Sequence, residues 1–173
     1  KKGDLDKAMD YYERSLKILR EVDDKHFKRY SLTNIGIIYN IIGNFDKSLD
    51  YYERSLKIFE EFGDKGGLGY ILSNIGDIYY MKGDYEKAIE YLLKSLSFQK
   101  EIGYKASALK LNTSTCLYLA YKNLGKEYDV NEIHMLIKEA KNIDFDYYPL
   151  YLLLEETSYL EIAYNKIQET ADA

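Results

Sequence analysis

Two histidines, one cysteine and a scatter of acidic pairs are the residues with which this 173-residue chain could do chemistry. Catalysis or metal binding needs a nucleophile, base or ligand set brought together at short range. His26 and His134 lie far apart with no partner at ligand spacing, and Cys116 has neither a second Cys nor a nearby His. Both histidines therefore read as ordinary helix residues, and Cys116 as a small buried or half-buried thiol. Asp23-Asp24 and Glu60-Glu61 fall at predicted helix ends, where a cap or a solvated face accounts for them. The 20 tyrosines could stack on bases or sugars, yet Tyr12, Tyr39, Tyr52 and Tyr79 recur at packing positions. The expectation is a chain that is not an enzyme and holds neither metal nor cofactor.

Composition narrows the remaining classes. At 46% hydrophobic residues the chain can bury a sizeable core, and a single Pro with 11 Gly suits helices joined by short turns. The fold class expected is all-α. A net charge of −5, with basic and acidic residues interspersed, lacks the footprint that nucleic acid or an anionic membrane surface requires. The longest apolar run, Leu150 to Leu154, is too short to span a bilayer. One cysteine cannot make an internal disulfide, so a cytoplasmic location is the simplest expectation.

The elements that position these residues repeat. Gly3-Asp-Leu-Asp-Lys-Ala8, Gly43-Asn-Phe-Asp-Lys-Ser48 and Gly83-Asp-Tyr-Glu-Lys-Ala88 recur every 40 residues, and the tract Asp10 to Ile18 returns unchanged as Asp50 to Ile58. Self-similarity at such a period is the signature of a solenoid. Helical spacing places Leu5, Ala8, Tyr12, Ser15 and Leu16 on one stripe, matched by Phe45, Ser48, Tyr52, Ser55 and Leu56 and by Tyr85, Ala88, Leu92, Ser95 and Leu96. These are the second helices of helix pairs. The first helices carry Leu32-x-x-Ile35-Gly36-x-x-Tyr39 and Leu72-x-x-Ile75-Gly76-x-x-Tyr79, where the glycine lets two backbones approach closely. Asp4, Asn44 and Asp84 follow the turn glycines as N-caps.

This pattern, over roughly residues 3 to 141, resembles the tetratricopeptide repeat, in the long-helix variety of cell-polarity adaptors and bacterial signalling proteins. The resemblance implies a right-handed superhelical solenoid of antiparallel helix hairpins. The closing Pro of the family pattern is missing, and Gly63 and Gly103 stand at the helix ends instead. The organisation expected is one domain over 1–173: a half repeat at 3–22, repeats at 25–62 and 65–102, a degenerate repeat at 105–142 and a capping helix at 148–169. In the degenerate unit Leu117 and Tyr121 keep their places, Tyr118 replaces the packing glycine, and Asp129-Val-Asn-Glu132 reads as a capping box. Gly3 reads as an intrahairpin turn whose first helix is absent, so the chain is expected to be a piece of a longer protein.

Function follows from the resemblance. It implies that the first helices line a concave groove that takes a protein or peptide partner. Helical spacing selects three stripes: Tyr30, Thr33, Asn34, Ile37 and Ile41; Tyr70, Ser73, Asn74, Asp77 and Met81; and Asn112, Thr115, Cys116, Leu119 and Asn123. Asn34 and Asn74, one repeat apart, could donate to and accept from a peptide backbone at once. Chaperone-binding members of the family grip a terminal carboxylate with Lys and Arg, but Thr33, Ile37, Ser73 and Asp77 hold those places, so such a clamp is not expected. The leading expectation is an adaptor or the sensory part of a signalling protein. The alternatives are a receptor for a short signalling peptide that changes solenoid shape, and a self-assembling scaffold. A homodimer is expected through the open N-terminal helix, whose exposed strip would include Leu5, Met9, Leu16 and Leu19.

Overall fold

The computed structural model describes residues 2–21, 24–103, 108–139, 148–159, 161–162 and 164–165. Eight α-helices follow one another among them, and no strand occurs in the described residues. They are α1 (Lys2–Glu21), α2 (Lys25–Ile41), α3 (Phe45–Glu61), α4 (Lys65–Met81), α5 (Tyr85–Glu101), α6 (Ala108–Asn123), α7 (Val130–Glu139) and α8 (Tyr148–Leu154). Helices α2/α3 and α4/α5 are the hairpins; α1 packs on α2, α3 on α4, and α5 on α6. The architecture is an all-α solenoid of stacked helix pairs, as the periodicity predicts.

Short polar residues begin the helices. The side chains of Asp24, Asn44, Asp64 and Asp84 accept from the backbone N–H three residues on, at 2.9–3.3 Å. Gly43 and Gly83 adopt φ of 76° and 79°, the left-handed conformation that closes a helix C-terminus. Each donates its N–H back to the preceding helix, Gly43 to the Asn40 carbonyl at 2.9 Å and Gly83 to that of Tyr80 at 3.0 Å. Gly3 and Asp4 do not repeat this. They lie inside α1, which runs unbroken from Lys2 to Glu21 and so corrects the expected turn and cap.

Packing follows from small residues at the crossings. A Cβ on Gly36 would stand 2.6 Å from the Tyr52 ring, and one on Gly76 2.6 Å from Leu92 Cγ. Tyr52 and Leu92 are both 0% exposed, so the two glycines are where second helices press onto first ones. Serines of the second helices seal the same contacts: Ser48 donates to the Gly36 carbonyl, Ser55 to that of Arg29 and Ser95 to that of Gly69, at 2.6–2.8 Å. These are positions that the spacing places on the buried stripe, and each hydroxyl gives its proton to a carbonyl of the facing first helix.

The C-terminal part departs from the expected outline. The final helix is not continuous over 148–169: α8 stops at Leu154, Glu155 turns to φ 60°, and helix resumes over residues 157–159. Leu150 and Leu153 are buried against α6, while Leu160, Ala163 and Ile167 lie outside the described residues. Lys122 of α6 explains the stop. Its Nζ donates to the Leu152 and Leu153 carbonyls at 2.9 and 3.3 Å and pairs with Glu155 at 2.6 Å, capping the helix with a cation. The predicted capping box at α7 is half formed. Asp129 accepts from Asn131 N at 2.9 Å, but Glu132 accepts from the Tyr118 hydroxyl, so the tyrosine that replaces the packing glycine takes the carboxylate.

The strip exposed on α1 also differs from the expected one. Leu16 is 6% exposed and Met9 packs against the same cluster, both turned to α2, whereas Tyr11 and Ile18 stand 71% and 60% exposed. The side chain of Leu5 lies outside the described residues. Tyr11 differs from its counterparts in the next two units. Its counterpart Tyr51 stacks on Tyr39 of α2 at 5.5 Å, as Tyr91 stacks on Tyr79 at 5.4 Å.

Candidate peptide-binding face

The predicted stripes divide into two layers. Tyr30, Ile41, Tyr70 and Met81 are 40–62% exposed, and between them Asn34, Ile37, Asn74 and Asp77 are half-buried. Consecutive repeats thus present the same order: a tyrosine near the start of the first helix, an amide and one further side chain in the middle, and a large aliphatic residue at the end. Asn112 of α6 joins this face through its Nδ2, which donates to Asp77 Oδ2 at 3.2 Å.

Four predicted site residues are not on it. Thr33, Ser73, Thr115 and Leu119 are 0–5% exposed and belong to the helix packing. Thr33 lies at 2.8 Å from the Ser55 hydroxyl and donates to the Arg29 carbonyl; Ser73 lies at 2.9 Å from Thr113, and Thr115 donates to the Leu111 carbonyl at 2.7 Å. Their hydrogen bonds are spent within and between helices. The face is narrower than the spacing predicts, because at 3.6 residues per turn the neighbour of a face residue turns into the adjacent helix. Cys116 likewise is 8% exposed, its thiol hydrogen-bonded to Asp77 and held well above the usual thiol pKa by burial and that carboxylate.

Asp77 is the electrostatic centre of the face. Burial lifts its pKa from 3.8 to about 6, against the opposing pull of the Cys116 and Asn112 hydrogen bonds. Its Oδ1 and the Asn74 Nδ2 are buried without a hydrogen-bond partner among the described residues. Neither residue's environment could be read from spacing, since both features arise where α6 crosses α4.

One residue beside the face escaped the sequence reading. Arg29 is 5% exposed, with its guanidinium 4.7–4.8 Å from the ring centres of Tyr30, Phe59 and Phe62 and 3.4 Å from Asp64. The repeat comparison holds a signal for it: the place of Arg29 is taken by Gly69 in the next unit, and that of Phe59 by Gln99. Phe59 also needs room on the next helix, where a Cβ on Gly67 would come within 2.1 Å of its ring. Among the described residues no group of three or more His, Cys, Asp or Glu is placed to hold a metal ion, and no helix is long and apolar enough to cross a membrane.

A family model of the tetratricopeptide repeat matches residues 1–61 and 29–101. The chain belongs to the tetratricopeptide repeat family. Its solved neighbours share the fold. BtubC (BKLC) from P. vanneervenii superposes with a TM-score of 0.66 at 23% identity, over 80% of this chain and 56% of that one. A kinesin-light-chain-like protein of Podosopora anserina, built of nearly identical TPR-like repeats, gives 0.61 at 15% identity over 99% of this chain and 85% of its own. The chain thus spans little more than half the length of BtubC. No curated protein matches it significantly in sequence. Tetratricopeptide repeats serve generally as protein-interaction or scaffolding modules.

Proposed function

We propose that this tetratricopeptide repeat binds a peptide or helix of a protein partner along the face formed by α2, α4 and α6, as an adaptor or the sensory part of a cytoplasmic signalling protein. One observation carries the reading: Tyr30 and Tyr70, Ile41 and Met81 are large side chains left 40–62% exposed at equivalent places in two successive repeats. Aromatic and aliphatic anchors at regular spacing, with amides between them, suit a segment laid across the helices. A net charge of −5 favours protein over nucleic acid as the partner.

The test is selection of peptides from a random 12-residue phage library on the immobilised chain, followed by binding to an Ile41→Glu/Met81→Glu variant. Both substitutions fall on exposed side chains and should leave the fold intact. Binders that hold the wild type and lose at least tenfold in affinity on the variant support the reading. Binders indifferent to the pair, or no binders, reject it.

A second reading, association of two chains through α1, is favoured by the exposed Tyr11 and Ile18. Sedimentation over a wide concentration range should show a reversible dimer that Ile18→Glu abolishes. A monomer at all concentrations rules the association out.

A further inference from the structure

Asp77 interrupts an otherwise neutral face. The residue at its place one repeat earlier is Ile37, and the residue one repeat later is Leu119. Four other aspartates of the stack pair with cations, Asp46 with Lys82 at 2.5 Å, Asp50 with Arg54 at 3.2 Å, Asp64 with Arg29 at 3.4 Å and Asp84 with Lys87 at 2.9 Å, and the caps Asp24 and Asp129 accept from a backbone N–H instead. Asp77 has none among the described residues. Among the described residues it receives only neutral donors, the Asn112 amide on Oδ2 and the Cys116 thiol, and Oδ1 has no donor there.

We infer that Asp77 selects a Lys or Arg side chain in the partner segment, seated between apolar residues of that segment that meet Ile37 and the ends of the face. The inference rests on the reading of this face as the binding surface. Charge complementarity argues for it. A carboxylate in a partly desolvated place loses hydration that neutral donors only partly restore, and a cation arriving with the partner restores more of it than it would on open surface. The final torsion of an aspartate is soft, so a half-buried carboxylate can turn an oxygen toward an incoming donor. Asn74, one turn away on α4, contributes an Nδ2 without a partner, a donor for a carbonyl of the same segment. The burial that lifts the Asp77 pKa to about 6 still leaves it ionised at neutral pH, as recognition of a cation needs. The competing account is that Asp77 only ties α4 to α6 through Asn112 and Cys116.

The peptides selected on the chain decide between these. The expected consensus has one Lys or Arg flanked by apolar residues. A synthetic consensus peptide and its Lys→Met version are then titrated by fluorescence anisotropy into the wild type and into Asp77→Asn, which keeps an acceptor for Asn112. The Lys peptide should lose about tenfold on Asp77→Asn, and the Lys→Met peptide should bind both proteins alike. The wild-type chain alone, read with the two peptides, gives the same answer should Asp77→Asn misfold: equal affinity for both peptides overturns the inference. Binders that need Ile41 and Met81 but carry no basic residue sensitive to Asp77 overturn it while leaving the binding face in place. Binders indifferent to Ile41→Glu/Met81→Glu overturn the binding face and this inference together.

Discussion

Gly36 and Gly76 do at residue scale what no side chain could. With Tyr52 and Leu92 standing 2.6 Å from where a Cβ would sit, any substitution must push a fully buried partner aside. Gly76→Leu should therefore destabilise the fold by about 1–3 kcal/mol through overpacking, measured as a lowered midpoint in chemical denaturation. Leu92→Ala in the same background should recover part of that loss, since it vacates the space the new side chain needs; a purely additive cost would show that the clash lies elsewhere. Asp77 makes a prediction of opposite sign. Its folded pKa of about 6 exceeds the ordinary 3.8, so the folded state binds the proton more tightly than the unfolded one. Its contribution is most favourable below pH 4 and is lost as pH rises through 6. Asp77→Asn should then be more stable than the wild type at pH 8, by on the order of 1–3 kcal/mol, with the gap closing toward pH 4. Equilibrium unfolding at the two pH values measures it, and a gap independent of pH would contradict the assignment.

At the scale of elements, the repeat made the first and second helices legible while their contacts remained local accidents. The caps Asn44 and Asp84, the glycine crossings and the stripe from Phe45 to Leu56 could all be read because a 40-residue period aligns like with like. Arg29 shows in the sequence only as a departure from the period. It fills, with Phe59, the space that Gly69 and Gln99 fill one unit later, and charge inside a helix stack is not signalled by spacing. Asp64 joins the two kinds of feature. It caps α4 through Gly67 N at 2.9 Å and is the anion facing Arg29 at 3.4 Å. Removing a cap alone costs about 1 kcal/mol, whereas stripping a buried cation of its partner costs about 3–5 kcal/mol. Asp64→Ala should accordingly destabilise the chain several times more than Asp24→Ala, which removes only a cap. Thermal unfolding of the pair checks this, and equal losses would mean that the three surrounding rings hold the guanidinium without help. The same logic explains the misplaced Thr33, Ser73 and Thr115: which side of a helix faces a neighbour is settled by the crossing, and a polar residue one position off the stripe finds its partner there.

Across the described helices, the main contacts run within a pair and between neighbouring pairs, so stability is a sum of local and nearest-neighbour contributions. Surface ties follow the same rule. Lys25 to Glu61 at 2.9 Å and Lys65 to Glu101 at 2.6 Å are one link repeated a unit apart, on a surface where such pairs contribute little each. The position of damage therefore matters more than its size. Lys122 sits at one end, where it holds the last carbonyls of α8 and pairs with Glu155. Lys122→Met removes those bonds, about 1 kcal/mol for the pair of carbonyls, from an element that packs chiefly on α6 among the described helices. Gly76→Leu strikes the α4/α5 hairpin at the centre. Hydrogen exchange should separate them: Lys122→Met should raise exchange in α8 and the adjoining end of α6 while leaving α2 to α5 protected as in the wild type. Gly76→Leu should raise it in α4 and α5 and, through their lost interfaces, in α3 and α6 as well. Uniform loss of protection in both variants would mean that the stack unfolds as one cooperative unit, and the nearest-neighbour account of this solenoid would have to be given up.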